Sequence, residues 1–274
     1  MRTATVLAAA LLVAGTPSQA EHAYIPIAFA PALMLPPESY RPETVWWRTT
    51  HSFTNTTDTT LTAQYVRVIG SPGSIGPGCD GGPLIVPPRT LWRISDIGGS
   101  GCASSGHGPG FLELDLDPGV VVSGGIHLVT PHSCGDPSAI GEISLASAPL
   151  PVYRALFPGG TTAASLGLPP LPSDPSCTNP RAPVARRVNL TVANGGLETA
   201  TVSVRASGAS AEPLVFFVPA GTPLQLNDLF PEVHYEVLLV TSSQPFLAYA
   251  SSVTTYADPG QIPSLAVYSF RPLD

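Results

Sequence analysis

The sequence contains no lysine; its twelve basic residues are all arginine. Charged residues make up 11% of the 274 positions, well under half the roughly 25% of ordinary soluble domains. Long solvent-exposed helices need charged faces and few Gly or Pro, so the scarcity of charge and the 26 Gly and 32 Pro exclude them. A net charge of −7 leaves no electrostatic footprint for nucleic acid or an anionic membrane. The signatures of several enzyme classes are also missing. No G-x-S-x-G elbow is present for an activated serine, and no H-E-x-x-H for a zinc protease. No C-x-x-C pair is present for structural zinc.

What remains is apolar and turn-rich. Hydrophobic residues reach 43%, enough for a packed core. The first twenty residues read as a signal peptide. Arg2 supplies the positive start, Ala4 to Ala14 the apolar stretch, and Ser18-Gln19-Ala20 the small-residue cleavage pattern. That stretch is shorter than the about 20 residues a bilayer requires, and no second run of spanning length follows. The expectation is an exported chain beginning at Glu21, secreted, periplasmic or at the cell surface. In an oxidising compartment, Cys79, Cys102, Cys134 and Cys177 are expected to form two disulfides. Cys79–Cys102 and Cys134–Cys177 is the favoured pairing, with the other two connectivities open.

Three segments recur in order. Trp47–Arg67 can be laid on Arg186–Arg205, through polar turns at Asn55 and Asn194. The run from Val86 through Thr90 to Ile97 answers Val218 through Thr222 to Leu229. Gly141–Ala146 answers Gly260–Ala266 with one insertion. The expected organisation is a signal peptide at 1–20, then domains at 21–148 and 149–274. Alternation such as that of Leu61 to Val68 marks half-buried strands, and Gly, Pro, Asn and Asp clusters separate them. In the first copy, strands are expected near 23–29, 45–54, 60–69, 83–86, 90–94, 111–116, 120–130 and 139–146. The second copy is expected to open with a strand around 152–157. The fold class expected is all-β: two tandem homologous antiparallel β-sandwiches, immunoglobulin-like in strand number and domain length.

The V-P-x-x-T-x-[WL]-x-[IL]-[SN]-D-[IL] pattern, the Trp47-Arg48-Thr49 entry and the paired copies resemble a group of secreted bacterial proteins with duplicated immunoglobulin-like β-sandwiches. The resemblance spans most of the mature chain. It implies fold and export, and carries over no catalytic residue or cofactor.

Strand parity gathers the long Gly-rich connections of the first copy at one pole, with the short ones at 55–59, 87–89 and 117–119 opposite. His107 and His132 are expected at the long-loop pole beside Asp80 and Asp136, either as solvated loop residues or as a ligand-binding cluster. Glu113, Asp115 and Asp117 alternate with leucines, which predicts a solvated outer sheet face. Of Trp46 and Trp47 one should be buried and the other, Trp47 for instance, available to stack on a sugar. Asn55-Thr56-Thr57 and Asn189-Leu190-Thr191 match glycosylation acceptors. Together these point to a non-enzymatic binding or structural module with an unknown protein or glycan partner. A carbohydrate-binding module is the alternative, and a hydrolase at the long-loop pole the remoter one.

Overall fold

The computed structural model describes residues 20–27, 46–69, 83–95, 110–133, 140–165, 183–207, 212–230, 236–256 and 264–273. Every regular element among them is a strand. The first eight are β1 (Glu21–Ile27), β2 (Trp46–Asn55), β3 (Leu61–Ile69), β4 (Leu84–Val86), β5 (Leu91–Ser95), β6 (Gly110–Leu116), β7 (Val120–Ser133) and β8 (Ile140–Leu150). The second eight are β9 (Thr162–Ser165), β10 (Pro183–Asn194), β11 (Ala200–Ala206), β12 (Leu214–Val218), β13 (Pro223–Leu226), β14 (Leu238–Ser242), β15 (Phe246–Tyr256) and β16 (Ser264–Pro272).

All described strand pairs are antiparallel. In the first half the sheets run β1-β6-β3-β4 and β5-β2-β7-β8. In the second half the orders are β9-β14-β11-β12 and β13-β10-β15-β16, the same orders counted from β9. There the two sheets are continuous, because β16 also pairs with β9. The sequence match between Ala146 and Ala266 shifts by two. Ala148 lies opposite Ile126 as Ala266 lies opposite Ser252.

Alternation builds these sheets. In β11, Ala200, Val202, Val204 and Ala206 are buried while Thr201 and Arg205 are exposed, the period of two that a one-sided sheet requires. In the first half, Ala23, Ile25, Leu112, Leu114 and Leu116 from one sheet meet Phe53, Val122, Ile126, Ala148 and Leu150 from the other. Strand β6 departs from this pattern and is buried along almost its whole length. Its leucines face the first core, while Phe111 packs edge-on against Tyr153 and Tyr249 of the second half, with ring centroids 6.1 and 5.6 Å away. The halves therefore share an apolar seam.

The segment expected as the opening strand of the second half is not one. Among the described residues, 152–157 make two isolated bridges, Tyr24 with Tyr153 and Phe157 with Phe246. Pro151 and Pro158 bracket this stretch, and Tyr153 and Phe157, four residues apart, both turn into the seam. The position corresponding to β1 is taken by β9, at 162–165.

Candidate contact surface

In the first half, strands β4 and β5 are the outermost strands of opposite sheets. The chain changes sheets between them through a tight turn at Pro87–Thr90. Thr90 Oγ1 donates to the Pro87 carbonyl at 2.7 Å, and Arg89 adopts a left-handed φ of 53°. Arg89 is held by its amide, which donates to the Thr57 carbonyl, and by a forked contact with the Asp58 carboxylate at 2.8 and 3.1 Å. Asp58 is thereby held below the usual carboxylate range.

Among the described residues each strand has a neighbour on one side only, and their side chains are poorly covered. Ile85, Leu91 and Trp92 are 60%, 59% and 47% exposed. Trp92 lies opposite Phe53, so it has the inward parity of β5, but it stands at the open margin of the core. Arg93 and Ser52 are register partners on the outward side of the same sheet, where Thr50, Ser52 and Thr54 follow one another along β2. Thr50 Oγ1 lies 3.0 Å from His127 Nε2 on that face. Leu91, opposite Thr54, shares this hydroxyl-bearing face, whereas Trp92 points to the other side of the strand. The edge offers an exposed indole for stacking on one side and hydroxyl groups for hydrogen bonding on the other. Trp92 is legible in the sequence only as part of a recurring strand motif; its exposure follows from β5 being an edge.

A second polar group lies on the opposite sheet. Tyr24, Glu113 and Arg67 occupy one row across β1, β6 and β3. Tyr24 donates its hydroxyl to Glu113 at 3.2 Å, and Arg67 Nε lies 2.5 Å from the other carboxylate oxygen. Glu113 is buried, which corrects the expectation of a solvated acidic face. Its face is covered by the second half, and Arg67 supplies the countercharge that burial demands. Arg67 reaches it because a bulge at Tyr65/Arg67 reverses the strand's parity: Ala63 faces the core, whereas Ile69 joins the seam. Burial, then the Glu113 carboxylate, raise the Tyr24 pKa. Asp115 meets His22 Nδ1 at 2.8 Å, and Asp117 accepts from the amide and hydroxyl of Thr62 at 2.7 and 2.8 Å. The three carboxylates serve three separate contacts and do not converge.

His51 is fully buried on the inward side of β2. Loss of hydration pushes its imidazole down to about 4, only partly countered by the Pro26 carbonyl 3.4 Å from Nε2. Its Nδ1 has no hydrogen-bond partner among the described residues.

Most residues singled out from sequence lie outside the described residues. These are Cys79, Asp80, Cys102, His107, Cys134, Asp136 and Cys177. Trp47 is on β2 opposite Leu128. His132 lies within β7, opposite Gly141, and not in a loop, because β7 continues to Ser133. No group of three or more His, Cys, Asp or Glu side chains suited to a metal ion occurs among the described residues. No helix there is long and apolar enough to cross a membrane.

Both glycosylation acceptors are closed in the folded chain. Asn55 is buried, and its Nδ2 donates to the Thr59 and Val86 carbonyls at 2.7 and 2.9 Å. Asn189 is buried and accepts from the Asp228 amide at 3.2 Å. The chain matches no protein-family model, no curated protein and no solved structure.

Proposed function

We propose that the chain is an exported, non-enzymatic binding or structural module built from two tandem homologous, immunoglobulin-like β-sandwiches. Support for the duplication comes from the identical strand orders of β1–β8 and β9–β16. Export is supported by the charged start, apolar stretch and small-residue cleavage pattern of residues 1–20, directly before the first residue of β1. The observation that carries the binding role is the exposure of two large apolar side chains, Leu91 and Trp92, on the edge strand β5.

A carbohydrate ligand is the more specific reading. The exposed indole of Trp92 at the edge of β5 supplies a stacking surface of the kind a sugar ring requires. Retention of the oxidised mature protein on cell-wall fractions and insoluble polysaccharides tests both readings. Saturable retention on a polysaccharide supports the glycan reading. Retention only on protein-containing wall fractions supports a protein partner, and no retention on any matrix contradicts the binding role.

A further inference from the structure

We infer that Asn194 is a deamidation site that the fold keeps closed, converted to aspartate and isoaspartate when the second half unfolds and not while it is folded. This goes beyond the binding role proposed above and does not depend on it.

The sequence holds five asparagines, and only Asn194 is followed by glycine; the others precede Thr56, Pro180, Leu190 and Asp228. Deamidation begins when the amide nitrogen of the next residue attacks the asparagine Cγ. That nitrogen gives up its proton to solvent base as the N–Cγ bond forms, and the Cγ–Nδ2 bond breaks to release ammonia. Water then opens the resulting succinimide at either carbonyl, leaving aspartate or isoaspartate. Glycine has no side chain to shield its nitrogen and the widest choice of backbone conformations, so Asn-Gly is the pair that reacts most readily.

In the folded chain the reacting groups are held. The Gly195 amide donates to the Pro245 carbonyl at 2.8 Å, which occupies the proton that base must remove. Both protons of the leaving Nδ2 are held by the Glu198 and Val218 carbonyls, at 2.7 and 2.9 Å, and Asn194 is fully buried. Oδ1 accepts from the Gly196 amide at 2.9 Å. That contact draws electrons from Cγ and favours attack, so protection rests on the other three bonds. Packing accounts for the glycine itself, since a Cβ at position 195 would lie 2.7 Å from Leu156 Cδ1. Asn55 has the same clamp but precedes Thr56, whose branched side chain shields its nitrogen.

The product does not fit this turn. A carboxylate oxygen in place of Nδ2 faces two carbonyl oxygens, and isoaspartate adds a carbon to the backbone at the end of β10. Unfolding followed by conversion is therefore irreversible in the second half.

Peptide mapping by mass spectrometry tests the inference, on mature protein held at mildly alkaline pH with and without enough guanidinium chloride to unfold it. Conversion requires opening of the turn, so Asn194 should convert at least a hundredfold more slowly in the folded protein. In denaturant it should outpace the other four asparagines. After dilution, the fraction regaining native circular dichroism should fall in step with conversion, and converted chains should be confined to the fraction that fails to refold. Gly195→Ala combined with Leu156→Ala, which makes room for the added methyl group, should slow conversion in denaturant at least tenfold and preserve the refolding yield. Leu156→Ala alone should lose refolding yield as fast as the wild type. Equal conversion in folded and unfolded protein overturns the inference. So does a refolding yield that declines equally in wild type and double variant, or converted chains that refold as well as unconverted ones.

Discussion

Asn55 and Asn194 make the same three side-chain hydrogen bonds in the two halves. Asn194 Nδ2 donates to the Glu198 and Val218 carbonyls at 2.7 and 2.9 Å, the distances Asn55 has to Thr59 and Val86. Each Oδ1 accepts from the amide two residues on, Thr57 at 2.8 Å and Gly196 at 2.9 Å. One amide side chain thereby closes the turn after its own strand and ties it to the edge strand beside the sheet change. Both amide protons and the carbonyl oxygen are used.

Replacing either asparagine by alanine leaves a buried carbonyl and two further groups without partners. Asn194→Ala should cost about 3 kcal/mol, at about 1 kcal/mol per net bond. Asn194→Asp should cost more, because a carboxylate oxygen then faces two carbonyl oxygens. Urea denaturation read by circular dichroism measures both, and an effect near zero would contradict the assignment.

His51 makes the first half acid-sensitive. Its folded pKa of about 4 lies below the unfolded value of about 6.5, so the unfolded chain takes up the proton first. The stability it contributes is full above the unfolded value and is lost as pH falls towards the folded one, amounting to about 3 kcal/mol across that window. The corresponding position in the second half, in register with Ala250 as His51 is with Gly124, is the buried Leu190. His51→Leu should raise stability at neutral pH by about 1–2 kcal/mol by removing an unpaired buried nitrogen. It should also flatten the pH dependence between 6.5 and 4. Equal slopes for wild type and variant would show that other groups govern acid unfolding.

Phe111 couples the halves. It is fully buried between Tyr153 and Tyr249, whose phenols are raised by burial, that of Tyr249 to about 12. Phe111→Ala should cost about 3–5 kcal/mol. Calorimetry should then show two transitions where the wild type shows one. A single transition for both proteins would mean that the seam is held elsewhere.

The strands of the first half were legible because Pro, Gly, Asn and Asp punctuate short alternating runs, and β4, β5 and β6 fall within a residue of expectation. Parity beyond a bulge was not. A single extra residue near Val66 leaves composition and propensity unchanged, yet turns Arg67 and Ile69 towards the second half. The burial of Glu113 follows from that turn and from the seam, both of which depend on contacts distant in sequence. Trp92 and Trp47 look alike as strand tryptophans; only the strand order shows that Trp92 stands on an edge. Residues 152–157 have strand-like composition, but Tyr153 and Phe157 are drawn to the seam's aromatic cluster.

The most direct test of the binding role is a comparison of wild type with Trp92→Ala on whichever cell-wall or polysaccharide matrix retains the wild type. Trp92 is half-exposed on an edge strand, so the variant should fold with little loss of stability. Retention should fall at least tenfold, and a control substitution on the far half, at the exposed Leu197 (Leu197→Ser), should leave it unchanged. Undiminished retention of Trp92→Ala would contradict the assignment of the contact surface to the edge strand β5.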